Sequence, residues 1–117
     1  MKLYAAILGL AILIGAGLAE AATTLVSGSL TFLAGDLGAC EVVNAAGHEL
    51  QIDITLVDAD GTEFPVACGT VEPGHTCRHP VTAAGSLYCK VTVTGGGKDS
   101  VRATWCNVNS GNCSEAR

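Results

Sequence analysis

The chain has little aromatic surface: one Trp, two Tyr and two Phe among 117 residues. A domain of about a hundred residues with so few rings must build its core from aliphatic side chains, and is marginal without another constraint. Basic residues are also sparse, six Lys and Arg against eleven Asp and Glu, giving a net charge of −5. That balance argues against nucleic acid or another polyanion as partner, because such binding needs clustered cations. Methionine occurs once, at position 1. No helical period of useful length follows residue 21. There is no Gly-x-Ser-x-Gly elbow and no carboxylate pair in a recognisable setting, so no nucleophile, base and acid are signalled together. The chain reads as a non-enzyme without a cofactor.

What is present begins with a leader. Met1-Lys2 carries a positive charge, residues 3–18 run without a charged or strongly polar side chain, and Ala19-Glu20-Ala21 offers small residues where a signal peptidase reads. A signal peptide over residues 1–21 is expected. The apolar run is at the short end for spanning a bilayer, and Cys40 lies too far along to be a lipoprotein cysteine. Residues 22–117 then form one domain, with no membrane span in the mature chain. Loss of Lys2 together with Glu20 leaves its charge at −5. A secreted or periplasmic monomer is expected.

All six cysteines, Cys40, Cys68, Cys77, Cys89, Cys106 and Cys113, fall in the exported part. An even number beyond a signal peptide implies disulfides. Cys106 and Cys113 flank a turn-rich loop, and Cys77 and Cys89 flank a similar excursion, which leaves Cys40 with Cys68. The rival set joins Cys40 to Cys89 through the core, tying two facing sheets, with Cys68 to Cys77. Each bridge is worth about 2–4 kcal/mol, a large share of a small domain's stability.

Residues 50–57 set the pattern for the rest. Leu50, Ile52, Ile54 and Leu56 fall on one side of an extended chain, and Gln51, Asp53 and Thr55 on the other. Asp58-Ala59-Asp60-Gly61 then suits a tight reversal. Alternation also predicts strands over residues 23–33, 40–44, 62–71, 76–81, 87–94 and 101–105. Breaks are expected at Gly35-Asp36-Leu37-Gly38, Ala45-Ala46-Gly47, Glu72-Pro73-Gly74, Ala83-Ala84-Gly85 and Gly95-Gly96-Gly97. Pro65 cannot donate to a ladder, so its strand belongs on an edge or carries a bulge. Trp105 is in phase with Val101 and Ala103 and reads as core or interface. About seven short strands with frequent turns point to an all-β, antiparallel sandwich.

Cys40-Glu41-Val42-Val43-Asn44, the strand ending at Gly61, Glu72-Pro73-Gly74, Tyr88-Cys89 before an alternating strand, and Val101-Arg102-Ala103 after a glycine turn together carry a resemblance. Over most of residues 39–105 the chain resembles small bacterial secreted immunoglobulin-like β-sandwich proteins, a group that is largely uncharacterised. The resemblance implies an immunoglobulin-like sandwich stapled by disulfides, in a non-catalytic surface, envelope or interaction module whose partner is a protein or envelope component. It implies no active-site residues.

Two constellations invite other chemistry. His75-Thr76-Cys77-Arg78-His79, with Cys68 and a more distant His48, offers ligand types that suit zinc or copper. Oxidation of Cys68 and Cys77 would remove the thiolates, and the usual blue-copper methionine is missing, so no metal is expected and His75 and His79 stay weak candidates. Asp58-x-Asp60-Gly61, with Glu63, resembles the start of a calcium loop but lacks the third oxygen residue and the later glutamate. A plain hairpin turn is expected there. The leading expectation is a non-catalytic interaction or structural domain that binds through loops or a strand edge. A copper- or zinc-binding sandwich using His75 and His79, and a small disulfide-rich inhibitor or effector presenting the Cys106–Cys113 loop, are the alternatives.

Overall fold

The computed structural model describes residues 21–117, so the expected signal peptide, apart from Ala21, lies outside the described residues. Seven strands follow: β1 (Ala22–Val26), β2 (Leu30–Asn44), β3 (Leu50–Asp58), β4 (Glu63–Val71), β5 (Thr76–Thr94), β6 (Val101–Asn107) and β7 (Cys113–Glu115). One single-turn 3₁₀ helix, Lys98–Ser100, precedes β6. All pairings are antiparallel, in the order β4-β3-β5-β2-β6-β7, with β1 also on β5.

This single sheet is folded over on itself. Cys40 of β2 lies opposite His79 of β5 in the ladder, yet its disulfide partner is Cys89, ten residues further along the same strand. A straight strand would separate those positions by about 33 Å. The observed Cα–Cα distance is 6.3 Å. Strand β5 must therefore bend, and Gly85, at φ 87°, is where it does. The partner strand bends beside it: register slips between Phe32 and Asp36, and Gly35 in that bulge has φ 89°. Residues 76–83 of β5 stay beside β2, while residues 87–94 pair with β3. The two halves of the sheet thus become facing layers.

Between the layers lies the core. Ile52, Ile54, Leu56, Val91, Val93 and Val42 are fully buried, as the period of two predicts for β3. Each buried aliphatic of this size stabilises by about 1.5–3 kcal/mol. Trp105 is opposite Cys40 on β6, fully buried, and stacks obliquely on Phe32 at 5.1 Å between ring centroids. Its Nε1 donates to the Leu87 carbonyl across the layers at 2.9 Å, satisfying its one polar atom.

Three expectations are corrected. The cysteines pair as Cys40–Cys89, Cys68–Cys77 and Cys106–Cys113, so Cys40–Cys68 and Cys77–Cys89 do not form. The first set assumed local excursions, whereas folding of the sheet brings Cys89 under Cys40. Gly35-Asp36-Leu37-Gly38 does not end a strand: β2 runs through it for 15 residues. Gly38 is there for space, because a Cβ would stand 2.7 Å from ring atoms of both Phe32 and Trp105. Ala83-Ala84-Gly85 is likewise a corner inside one 19-residue strand, not a turn between two. Pro65, by contrast, sits as expected: β4 is an edge strand and is bulged at Cys68, between the pairs Ile52–Gly69 and Asp53–Ala67.

Candidate binding edges

The histidines do not converge. His48 Nε2 is 2.8 Å from the Gly95 carbonyl, His75 faces Glu72 at 3.8 Å on the exposed turn before β5, and His79 Nε2 lies 3.4 Å from the Phe64 carbonyl. Cys68 and Cys77, the thiolates a metal would need, are bonded to each other. Among the described residues no group of three or more His, Cys, Asp or Glu is placed to hold a metal ion. The Asp58 carboxylate is occupied too: its Oδ1 accepts from the backbone N–H groups of Asp60 and Thr62, both at 2.9 Å, while Gly61 supplies φ 81°. That is an Asx-type turn closing a hairpin.

Two buried asparagines carry architecture that the alternation pattern did not reveal. Asn44 Nδ2 donates to the His48 and Val71 carbonyls, at 2.9 and 2.8 Å, and its Oδ1 accepts from Ala46 N–H. Asn107 Nδ2 donates to the Thr31 carbonyl and Asp36 Oδ2, and its Oδ1 accepts from Asn109 and Ser110 N–H. Each ends a strand just before small or polar turn residues, which is the signal that could have found them. Among the described residues no buried side-chain nitrogen or oxygen lacks a partner. On the outer face Glu41 pairs with Arg78 at 2.9 Å and Glu63 with Lys90 at 2.8 Å. The hydrogen bond that Lys90 donates to Glu63, helped by the carboxylate charge, holds the Lys90 ammonium above its ordinary pKa, with desolvation opposing.

With side chains so committed, the unpaired main chain stands out. Folding the sheet leaves two seams where free strand edges face each other. At the first, β4 pairs only with β3, and residues 76–83 of β5 pair only with β2. Cys68–Cys77 crosses this seam. Beside it runs a groove of about 230 Å³ lined by Asp58, Phe64, Val81, Thr82, Ala83 and Leu87, with Phe64 45 % exposed. The Asp58 N–H bond to the Thr62 carbonyl and the Asn44 N–H bond to the His75 carbonyl fix the alternation of both ladders. They put the nitrogens of Pro65 and Pro80 on the open edges, where no donor is lost, and so blunt this seam.

The second seam lies between β1 and β6. At one end it is filled: Val26 and Arg117 exchange N–H···O bonds at 3.0 and 3.2 Å, and Ala116 N–H donates to the Ala103 carbonyl at 3.0 Å. Beside this filled end lies a slot of about 360 Å³ whose apolar floor is Leu25, Val101, Ala103 and Ala116 and whose rim carries Lys98, Asp99, Arg102, Thr104, Glu115 and Arg117. No proline stands on it.

No protein-family model matches the chain, and no curated protein sequence matches it. Among solved structures the fold is similar to that of Thermotoga maritima 1070, with a TM-score of 0.54 and 9 % identity over 80 % of this chain and 91 % of that one. It is more distantly similar to the Anabaena sensory rhodopsin transducer, at TM-score 0.44 and 13 % identity over 80 % and 92 % of the two chains. The first likeness concerns the fold alone, and the second is too distant to support an argument. Three disulfides among the described residues fit an oxidising, non-cytoplasmic compartment. No helix of the described residues is long and apolar enough to cross a membrane.

Proposed function

We propose that this protein is a non-catalytic exported binding domain of the immunoglobulin-like kind. In this reading it acts in the periplasm or outside the cell, as a monomer that docks a protein or other envelope component along an unpaired strand edge. The observation that carries the proposal is the pair of seams, where main-chain donors and acceptors are the groups left free to bond a partner. The apolar leader and the complete oxidation of the cysteines support the compartment. Structural commitments of the histidines, Asp58 and the buried asparagines support a binding role over a chemical one.

Photo-cross-linking in the producing cells tests the proposal. A photoreactive side chain placed at Thr24, beside the second seam, or at Thr82, beside the first, is expected to give a discrete adduct. Absence of any discrete adduct from either seam would contradict the proposal.

A further inference from the structure

We propose that the groove beside the first seam receives a lysine side chain of a partner polypeptide, with its ammonium between Phe64 and Asp58. The inference rests on the binding-domain reading above and names the site and the chemistry of the partner.

The groove is the open end of the core. Leu50, Ile52, Ile54 and Leu56 of β3 face inward, and the same period of two brings the next residue in phase, Asp58, to that side. Asp58 lies opposite Leu87 in the ladder, and Leu87 is in phase with the buried Cys89, Val91 and Val93. Phe64 lies opposite Leu56, so it stands on the core side as well. From the other layer Val81 and Ala83 pack against the core. The seam leaves this end uncovered: Phe64 is 45 % exposed, whereas its neighbour Leu56 is fully buried. An aromatic ring and a carboxylate thus share a face that alternation otherwise fills with aliphatic side chains, around a cavity of about 230 Å³.

Asp58 fixes the charge of the occupant. Its Oδ1 is spent on the turn, accepting from Asp60 and Thr62 N–H, but its Oδ2 has no hydrogen-bond partner among the described residues. The ion pairs of the described residues engage Glu41, Glu63, Glu72 and Glu115, and none includes Asp58. One free oxygen is too little for calcium, which takes about six to eight. Nor does it match a guanidinium, whose fork bonds carboxylate oxygens in pairs. It suits the compact ammonium of lysine. Asp58 N–H donates to the Thr62 carbonyl, which puts Phe64 on the diagonal, about 7 Å away between Cβ atoms. An ammonium between them meets both the ring and the free oxygen. Val81, Ala83 and Leu87 take the methylenes of the stem, and a net charge of −5 favours a cationic partner. The main chain favours a peptide over a free amine. Alternation leaves Thr82 N–H and C=O on the open edge of β5 at the rim of the groove, where a bound chain gains bonds that an alkylamine lacks.

Titration of the ¹⁵N-labelled protein, read at the Asp58, Phe64, Thr82 and Leu87 amides, tests this. The probes are capped Gly-X-Gly peptides with lysine, norleucine or arginine as X, and butylammonium. Saturable shifts of those amides are expected with the lysine peptide, and the other probes are expected to bind about tenfold more weakly. Asp58→Asn keeps the oxygen that holds the turn and removes the charge; it is expected to leave the amide pattern of the fold intact and to weaken lysine binding about tenfold. Phe64→Leu keeps apolar bulk without the ring and is expected to weaken it roughly threefold. Equal binding of norleucine, arginine or butylammonium, unchanged lysine binding in either variant, or no shift at these amides would each overturn the proposal. So would shifts at these amides on dilution of the protein alone, which would assign the groove to a second copy. A discrete cross-link from Thr24 without any lysine binding would sink the groove and leave the binding-domain reading intact.

Discussion

Replacing Gly38 by alanine tests the fold-over where it is tightest. The added methyl would stand 2.7 Å from Phe32 Cε2 and from Trp105 Cη2, and 2.9 Å from Phe32 Cζ. These are ring atoms of fully packed side chains, so relief requires shifting the Phe32–Trp105 pair or the β2 corner. Forcing an extra methyl into such a site costs about 1–3 kcal/mol. Reduced freedom of the unfolded chain offsets about 0.4–1 kcal/mol of that. A net loss of about 1–2 kcal/mol corresponds to a fall of roughly 5–15 °C in melting temperature for a domain of this size. Thermal unfolding followed by Trp105 fluorescence reads it directly. Gly47→Ala is the control, since nothing stands within 4 Å of a Cβ there, and it is expected to be neutral or slightly stabilising. Adding Phe32→Leu to Gly38→Ala should recover part of the loss, because the two sites share one contact. An unchanged or raised melting temperature in Gly38→Ala, or an equal loss in Gly47→Ala, would refute the packing of β2 against Trp105.

Three further outcomes are expected. Removing Cys40–Cys89, which spans 49 residues, should cost about 4 kcal/mol, against about 2 kcal/mol for Cys106–Cys113, which spans 7, on the chain-entropy account; urea unfolding of the paired Cys→Ala variants compares them. Asn44→Ala strips the buried Val71 carbonyl and two neighbouring backbone groups of their partners; it should lower stability by about 2–4 kcal/mol with an unchanged denaturant slope. Asp58→Ala loses two capping bonds and should cost about 1 kcal/mol, while calcium should leave the melting temperature of the wild type unchanged, since that carboxylate is already spent on the turn.

The sequence made the local geometry legible and left the long-range geometry hidden. Leu50, Ile52, Ile54 and Leu56 announce their buried face because alternation is a property of neighbours, and Trp105 follows by phase with Val101 and Ala103. Gly61 and Gly74 mark their turns by the same local logic. Gly38 and Gly85 look like the same kind of residue, yet one makes room for two rings and the other bends a continuous strand. Nothing within a few residues distinguishes those roles from a turn. The preferred pairing of Cys40 with Cys68 and Cys77 with Cys89 failed for that reason, and the rival set is the one observed: Cys89 reaches Cys40 because the sheet doubles back at Gly85. A strand edge could be anticipated as a binding element, but the slot could not. Its walls are β1 and β6, far apart in sequence, and Ala116 and Arg117, which alternation leaves unassigned, fill one end of the seam.

The most direct measurement is disulfide mapping of the unreduced protein, with cleavage after Glu63, Glu72, Arg78 and Lys98 so that only Cys106 and Cys113 share a peptide. Linked peptides joining Cys40 to Cys89 and Cys68 to Cys77 are expected, with Cys106–Cys113 as a bridge inside one peptide and no free thiol. Peptides joining Cys40 to Cys68 and Cys77 to Cys89 would contradict a sheet folded back on itself.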